Sequence, residues 1–313
     1  MGIYTLAPML GPVIGPVAGA WIAEKTTWRW VFWSSSIFAI VIQGCGLLWL
    51  RESHAPTLLA RKRARLSKGT GNTALRLGDD QESMLRKIAG AAIRPTRMLT
   101  TQPIVMLVSL YIAYVFGLNY LLFATFPQVW GGVCGESTGV AGLNYISMGI
   151  GSFIGLFGNF FLIDRIYKGL KAGNNDIGRP EFRIPTMIIG SLLVTVGLFW
   201  YGWSVEAHSQ RVVPSLGITV FSAGTIVCMA GMQTYVLDTY MRYAASAMAA
   251  VAVLRSLFGF SFPLFAPYLY EHLGYGWGTS VLAFLSIGLG WAAPLIFWFC
   301  GKKLRSMSSY ATG

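Results

Sequence analysis

Arg255 stands eleven residues into an otherwise uncharged run that begins at Ala244. A cation so deep in apolar sequence either binds an anionic group or acts as a fixed strut, paired with Asp238 or a backbone carbonyl. A second charged pair, Asp164 and Arg165, closes another apolar run six residues after Gly158. It reads as a gate that locks one arrangement through a neighbouring helix end, or as a plain solvated helix terminus. The twelve carboxylates all fall in loops or at the ends of apolar runs, so no group is placed to carry a proton through the middle.

Metal and redox chemistry is not indicated. Cys45, Cys134, Cys228 and Cys300 have no ligand spacing, and His54, His208 and His272 read as exposed loop residues. There is no phosphate loop of the form G-x-x-x-x-G-K-[ST], no G-x-S-x-G elbow and no H-E-x-x-H helix, so the chain does not read as an enzyme and no cofactor is expected. One motif stands out instead. GPVIGPVAGA spaces Gly11, Gly15 and Gly19 four apart, with Pro12 and Pro16 following the first two. Such glycines let another helix approach closely, while the prolines remove donors and bend the helix. Gly151 and Gly155 repeat the spacing.

The elements that must position these residues are set by composition. The 313 residues are 54% hydrophobic and 12% charged, outside the range of soluble domains. Crossing a hydrocarbon core takes about 20 apolar residues as a helix. Eight runs qualify: Ile3 to Ala23, Trp30 to Leu50, Pro103 to Val129, Thr138 to Ile163, Ile184 to Trp203, Val213 to Leu237, Ala244 to Tyr268 and Trp277 to Cys300. Lipid tolerates no unpaired backbone, and no run alternates like a barrel strand, so an all-α integral membrane protein with about eight transmembrane helices is expected.

The net charge of +12 is topology rather than a nucleic-acid footprint. Eleven basic residues lie between 51 and 100, five between 164 and 183, one at Arg242 and three in the tail; only Lys25, Arg29 and Arg211 lie on the other side. Basic loops stay cytoplasmic, which places both termini there. The segment from Arg51 to Thr101 reads as a linker whose first part is polar and disordered. Its second part, Met84 to Leu99, spaces Leu85, Ile88, Ala92 and Ile93 like a surface or linker helix.

The glycine-proline stretch resembles the antiporter signature of the fifth helix in the drug:proton antiporter branch of the major facilitator superfamily. Trp28-Arg29-Trp30-Val31-Phe32 resembles the entry to the sixth helix. Arg94-Pro95 with Gln102-Pro103-Ile104-Val105 is similar to the entry to the seventh in its twelve-span fungal members. Asp164-Arg165 with Arg179-Pro180-Glu181-Phe182-Arg183 is similar to the loop between the eighth and ninth, and the run from Tyr235 to Phe284 resembles the tenth to twelfth helices.

The resemblance implies that the chain corresponds to helices five to twelve, the first four being absent. Residues 1–50 would then be the last two helices of an N-terminal bundle, 51–102 a cytoplasmic basic linker, 103–300 a complete C-terminal six-helix bundle and 301–313 a cytoplasmic tail. It implies efflux of small organic molecules such as drugs, toxins or secondary metabolites across a plasma membrane, by alternating access powered by the proton gradient. Two alternatives stand beside it: polyamine transport, which would want acidic groups in the cavity, and a transport-incompetent remnant. Helices that line the central cavity in this superfamily supply the candidates Tyr111, Asn119, Tyr120, Phe123, Asn144, Tyr145, Met232, Gln233, Phe258 and Phe262. Aromatics with a few amides suit a large, weakly polar substrate. The expected partners are the bilayer and that small molecule, with no nucleic acid.

Overall fold

Runs dominated by Leu, Ile, Val, Ala and Phe can satisfy their backbone without water only as helices, and each does so. The structure, a computed structural model, describes residues 2–50, 52, 55–70, 84–176, 178–306 and 308, with side chains from residue 11 in the first helix and residue 93 in the fourth. The α-helices in chain order are α1 (Gly2–Lys25), α2 (Trp28–Trp49), α3 (Ala55–Thr70), α4 (Met84–Thr101), α5 (Pro103–Pro127), α6 (Thr138–Leu143), α7 (Tyr145–Ala172), α8 (Ile184–Glu206), α9 (Val212–Thr239) and α10 (Ala244–Ser306). No strand occurs among the described residues, and the fold is all-α.

Among the described residues, six helices are long and apolar enough to cross a membrane; the last covers Ala244–Gly301. Those 58 residues measure about 87 Å at 1.5 Å per residue, enough for two crossings. The two arms of α10, 244–273 and 275–306, meet at Gly274, whose φ of 70° and ψ of 175° suit only a residue without Cβ. Glu206 Oε2, at the end of α8, accepts the amides of Tyr275 (2.9 Å) and Gly276 (3.1 Å), and so caps the second arm.

Packing divides the chain into two units: residues up to Lys25 with those from Arg94 onward, and Thr26–Ile93. In the first unit α5 lies against α10, α8 against both α9 and α10, and α7 against α9. Close crossings are made at glycines. A Cβ on Gly151 would overlap the Thr219 carbonyl, on Gly155 that of Ala223, and on Gly197 the backbone of Phe221. The core between these helices holds Trp130, Tyr114, Tyr201, Tyr235, Phe126 and Phe221, all fully buried.

The second unit contains α2, α3 and the start of α4. Trp28, Phe32, Trp33, Phe38 and Leu47 of α2 are all exposed, on a helix long and apolar enough to cross a membrane. The linker's first part is not irregular as expected. Ala, Leu, Lys and Arg from Ala55 to Lys68 are strong helix formers, and they build α3. Residues 71–83 and His54 lie outside the described residues.

Candidate functional site

Five helices of the first unit line a half-open cavity of about 710 Å³, within the range of small-molecule sites. On α5, Phe116, Asn119, Tyr120 and Phe123 recur at three- and four-residue intervals and form one stripe facing it. Pro12, Val13 and Pro16 come from α1, and Tyr145, Met148 and Ser152 from α7. Ser222, Thr225, Ile226 and Met229 come from α9, and Pro263 from α10. No lining residue among the described residues carries a charge.

The aromatic rings form a continuous wall. Phe116 and Tyr120 lie 4.7 Å apart between centroids, Tyr120 and Phe123 6.1 Å, Phe123 and Tyr145 6.0 Å, and Tyr145 and Phe126 4.8 Å. Such spacings favour offset and edge contacts and leave faces for another ring. The Tyr145 hydroxyl donates to the Phe123 carbonyl (2.8 Å) and ties α7 to α5. Asn119 Nδ2 donates to the Val115 carbonyl (3.0 Å), leaving its oxygen without a partner among the described residues.

Four of the ten cavity candidates from the sequence, Asn119, Tyr120, Phe123 and Tyr145, therefore share this cavity. The others lie elsewhere. Tyr111 is buried and shares a hydrogen bond with Ser191 Oγ (2.8 Å), because it faces α8 rather than the cavity. Met232 is fully buried in the core, and Gln233 is half-buried on α9 away from the lining. Asn144 joins α6 to α7 and donates to Glu136 Oε2 (2.7 Å). Phe258 and Phe262 stack at 5.5 Å, and Phe262 fills the space over Gly117. Sequence reasoning missed the small polar residues Ser152, Ser222 and Thr225, which carry no aromatic signal. It also missed Phe116, which the stripe Tyr120 and Phe123 points to four residues earlier.

The glycine-proline motif acts differently from expectation. Gly11 and Gly15 have no atom within 4 Å of a Cβ position, whereas Pro12 and Pro16 line the cavity. Gly19 is half-buried. The small residues that admit α1 are on its neighbours: a Cβ on Gly142 would meet Ala20, and one on Gly149 would meet Val13. Glu24 fixes the end of α1 by accepting from the Gly139 amide and from Ser137 Oγ.

The charged groups also find other partners. Asp238 does not pair with Arg255; it accepts from Arg183 Nε at 2.6 Å, because it sits at the end of α9 while Arg255 lies three turns into α10. The Arg255 guanidinium instead lies 4.7 Å from the centroid of the Phe116 ring. Asp164 and Arg165 do not close their helix, since α7 continues to Ala172; both are exposed, with no ion pair among the described residues. The neighbouring network is made by Glu181 with Arg305 (2.8 Å) and by Arg183 over the Tyr167 ring.

Across the other end, Glu136 is buried and pairs with Arg211 Nε at 2.9 Å. Burial and the Glu136 charge push the Cys134 thiol up, while Arg211 opposes them. Cys45, Cys134, Cys228 and Cys300 are unpaired, and no group of three metal-ligating side chains occurs among the described residues.

Residues 1–263 match the family model of the Major Facilitator Superfamily. Efflux pump vrtL of Penicillium aethiopicum is 56% identical over 100% of this chain and 62% of its own length. Efflux pump radE of Floropilus chiversii is 42% identical over 98% of the chain and 57% of its own length. MFS transporter cpaT of Aspergillus oryzae is 42% identical over 99% and 62%. The chain thus spans about three-fifths of the length of these relatives.

Proposed function

Because the chain belongs to the Major Facilitator Superfamily, a multi-pass membrane family, we propose that it serves to move small organic molecules out of the cell by alternating access. Drugs, toxins and secondary metabolites are the substrate class and the proton gradient is the energy source. The setting is a plasma membrane with both termini cytoplasmic, in keeping with the basic loops.

The observation that carries this reading is the cavity. Its volume of about 710 Å³, aromatic wall and scattered hydroxyl and amide groups suit a large, weakly polar molecule. Two relatives bear the name efflux pump, which supports the direction. The polyamine alternative gains no support, since a polycation wants carboxylates and none lines the cavity among the described residues.

The test is a yeast strain lacking its own exporters, expressing the protein and challenged with a panel of toxic metabolites. Lower cellular accumulation of some compounds, abolished by a protonophore, is the expected result. Unchanged accumulation of every compound, with the protein shown to be in the plasma membrane, would overturn the export reading.

A further inference from the structure

Arg255 has lost the partner that would make it a strut. Asp238 is held by Arg183 at 2.6 Å, and Arg255 makes no ion pair or hydrogen bond among the described residues. Its Nε is buried and unsatisfied, and its guanidinium lies 4.7 Å from the centroid of the Phe116 ring. Stacking on a ring uses the flat face of a guanidinium, so its two terminal amino groups, rather than the buried Nε, are the ones to fork onto two oxygens.

Phe116 is itself part of the cavity wall, next to Tyr120. Arg255 is not itself a lining residue but stands against Phe116, which is, and no described lining residue carries a charge, so its positive charge there favours an anion over a cation. We infer that the site takes an anionic aromatic molecule, its carboxylate or comparable acid on Arg255 and its rings along Phe116, Tyr120 and Phe123. This deepens the transport reading, and rests on it for the cavity's being the binding site. Arg255 is then the residue that selects acids over their neutral counterparts. It resolves the choice between anion ligand and strut in favour of the ligand.

The experiment measures binding, independently of transport. The protein in lipid nanodiscs is titrated with anthracene-9-carboxylate and with its methyl ester, empty nanodiscs serving as the blank. The wild type should bind the acid at least about tenfold more tightly than the ester, the scale of a charge-assisted fork. Arg255→Gln should abolish that preference while keeping ester affinity within about twofold, and Arg255→Lys should fall between, having charge without the fork. A wild type without preference for the acid overturns the inference, as does an Arg255→Gln variant that retains it. If Arg255→Gln loses the ester as well, through misfolding, Arg255→Lys decides. Weakened acid binding beside intact ester binding supports the inference, and unchanged binding of both overturns it. A protein that shows this preference yet exports nothing would remove the transport reading and leave the inference standing. Export of neutral compounds without an Arg255-dependent preference would do the reverse.

Discussion

Arg183 Nε donates to Asp238 Oδ2 at 2.6 Å, joining the short 3₁₀ turn before α8 to the end of α9. The pair is partly exposed, so solvent screens it, and its worth is about 1 kcal/mol at most. Asp238→Asn should lower the apparent thermal midpoint of the purified protein by about 2–4 °C. A double exchange, Arg183→Asp with Asp238→Arg, should recover part of the loss. A midpoint unchanged in Asp238→Asn would show that the pair adds nothing to stability.

Gly274 and Glu206 make the sharp break within α10. A side chain at φ 70° and ψ 175° is strained by about 1–3 kcal/mol, so Gly274→Ala should reduce folded yield more than substitutions at neighbouring exposed positions. Glu206→Gln leaves an acceptor but removes its charge from the N-terminus of the second arm, and should cost about 0.3–1 kcal/mol in thermal scans. Equal effects of Gly274→Ala and an exposed Gly→Ala control, such as Gly288, would contradict the account.

Two sets of glycines at the same four-residue spacing should respond in opposite ways. Gly151→Val and Gly155→Val drive a side chain into the α9 backbone, and overpacking there should cost about 1–3 kcal/mol or more. Gly11→Ala and Gly15→Ala meet nothing within 4 Å and should leave stability within about 0.5 kcal/mol. Thermal midpoints of the four variants in one detergent check both halves. A loss of export without loss of stability in Gly15→Ala would show that the open stripe has a role in the transport cycle.

Cys134 offers a test of orientation and of electrostatics together. The proposed topology, with the basic loops cytoplasmic, puts it on the outer side, and a membrane-impermeant maleimide should then label it in intact cells. Burial and the Glu136 carboxylate raise its pKa, so the thiolate is scarce at neutral pH and labelling should accelerate as pH rises. Glu136→Gln removes the repulsive charge, lowers the pKa and should speed the reaction; Arg211→Ala should slow it. The opposite order in the two variants would refute this assignment, and labelling only after permeabilisation would invert the topology.

The cavity wall is open to direct substitution. Phe123→Ala and Tyr120→Ala each remove a ring from the continuous stack, and should change the profile of exported compounds while the protein still reaches the membrane. Tyr111→Phe loses its hydroxyl's contacts with Ser191 and Cys228, about 1 kcal/mol of stability, and should leave that profile alone. Export profiles altered by Tyr111→Phe as much as by Phe123→Ala would remove the distinction between core and cavity.

Composition and run length alone determined that the chain is helical and built for lipid, because a hydrocarbon interior permits so few backbone solutions. The α5 stripe was legible for the same reason: Asn119, Tyr120 and Phe123 keep helical spacing within one element, and spacing within an element is a property of sequence. Which of the aromatics meet across elements was not. Tyr111, a little over two turns from Asn119 on the same helix, turns to Ser191, and Met232 goes to the core, because facing depends on neighbouring helices. Partner choice was likewise tertiary. Sequence set Asp238 and Arg255 as a plausible pair, but Arg183, 55 residues before Asp238, reaches it first, since helix ends at one membrane face are neighbours whatever their separation along the chain. The glycines of α1 show the same limit, for a four-residue repeat marks a smooth face, and only the packed helices decide that Pro12 and Pro16 meet the cavity while Gly11 and Gly15 stay open.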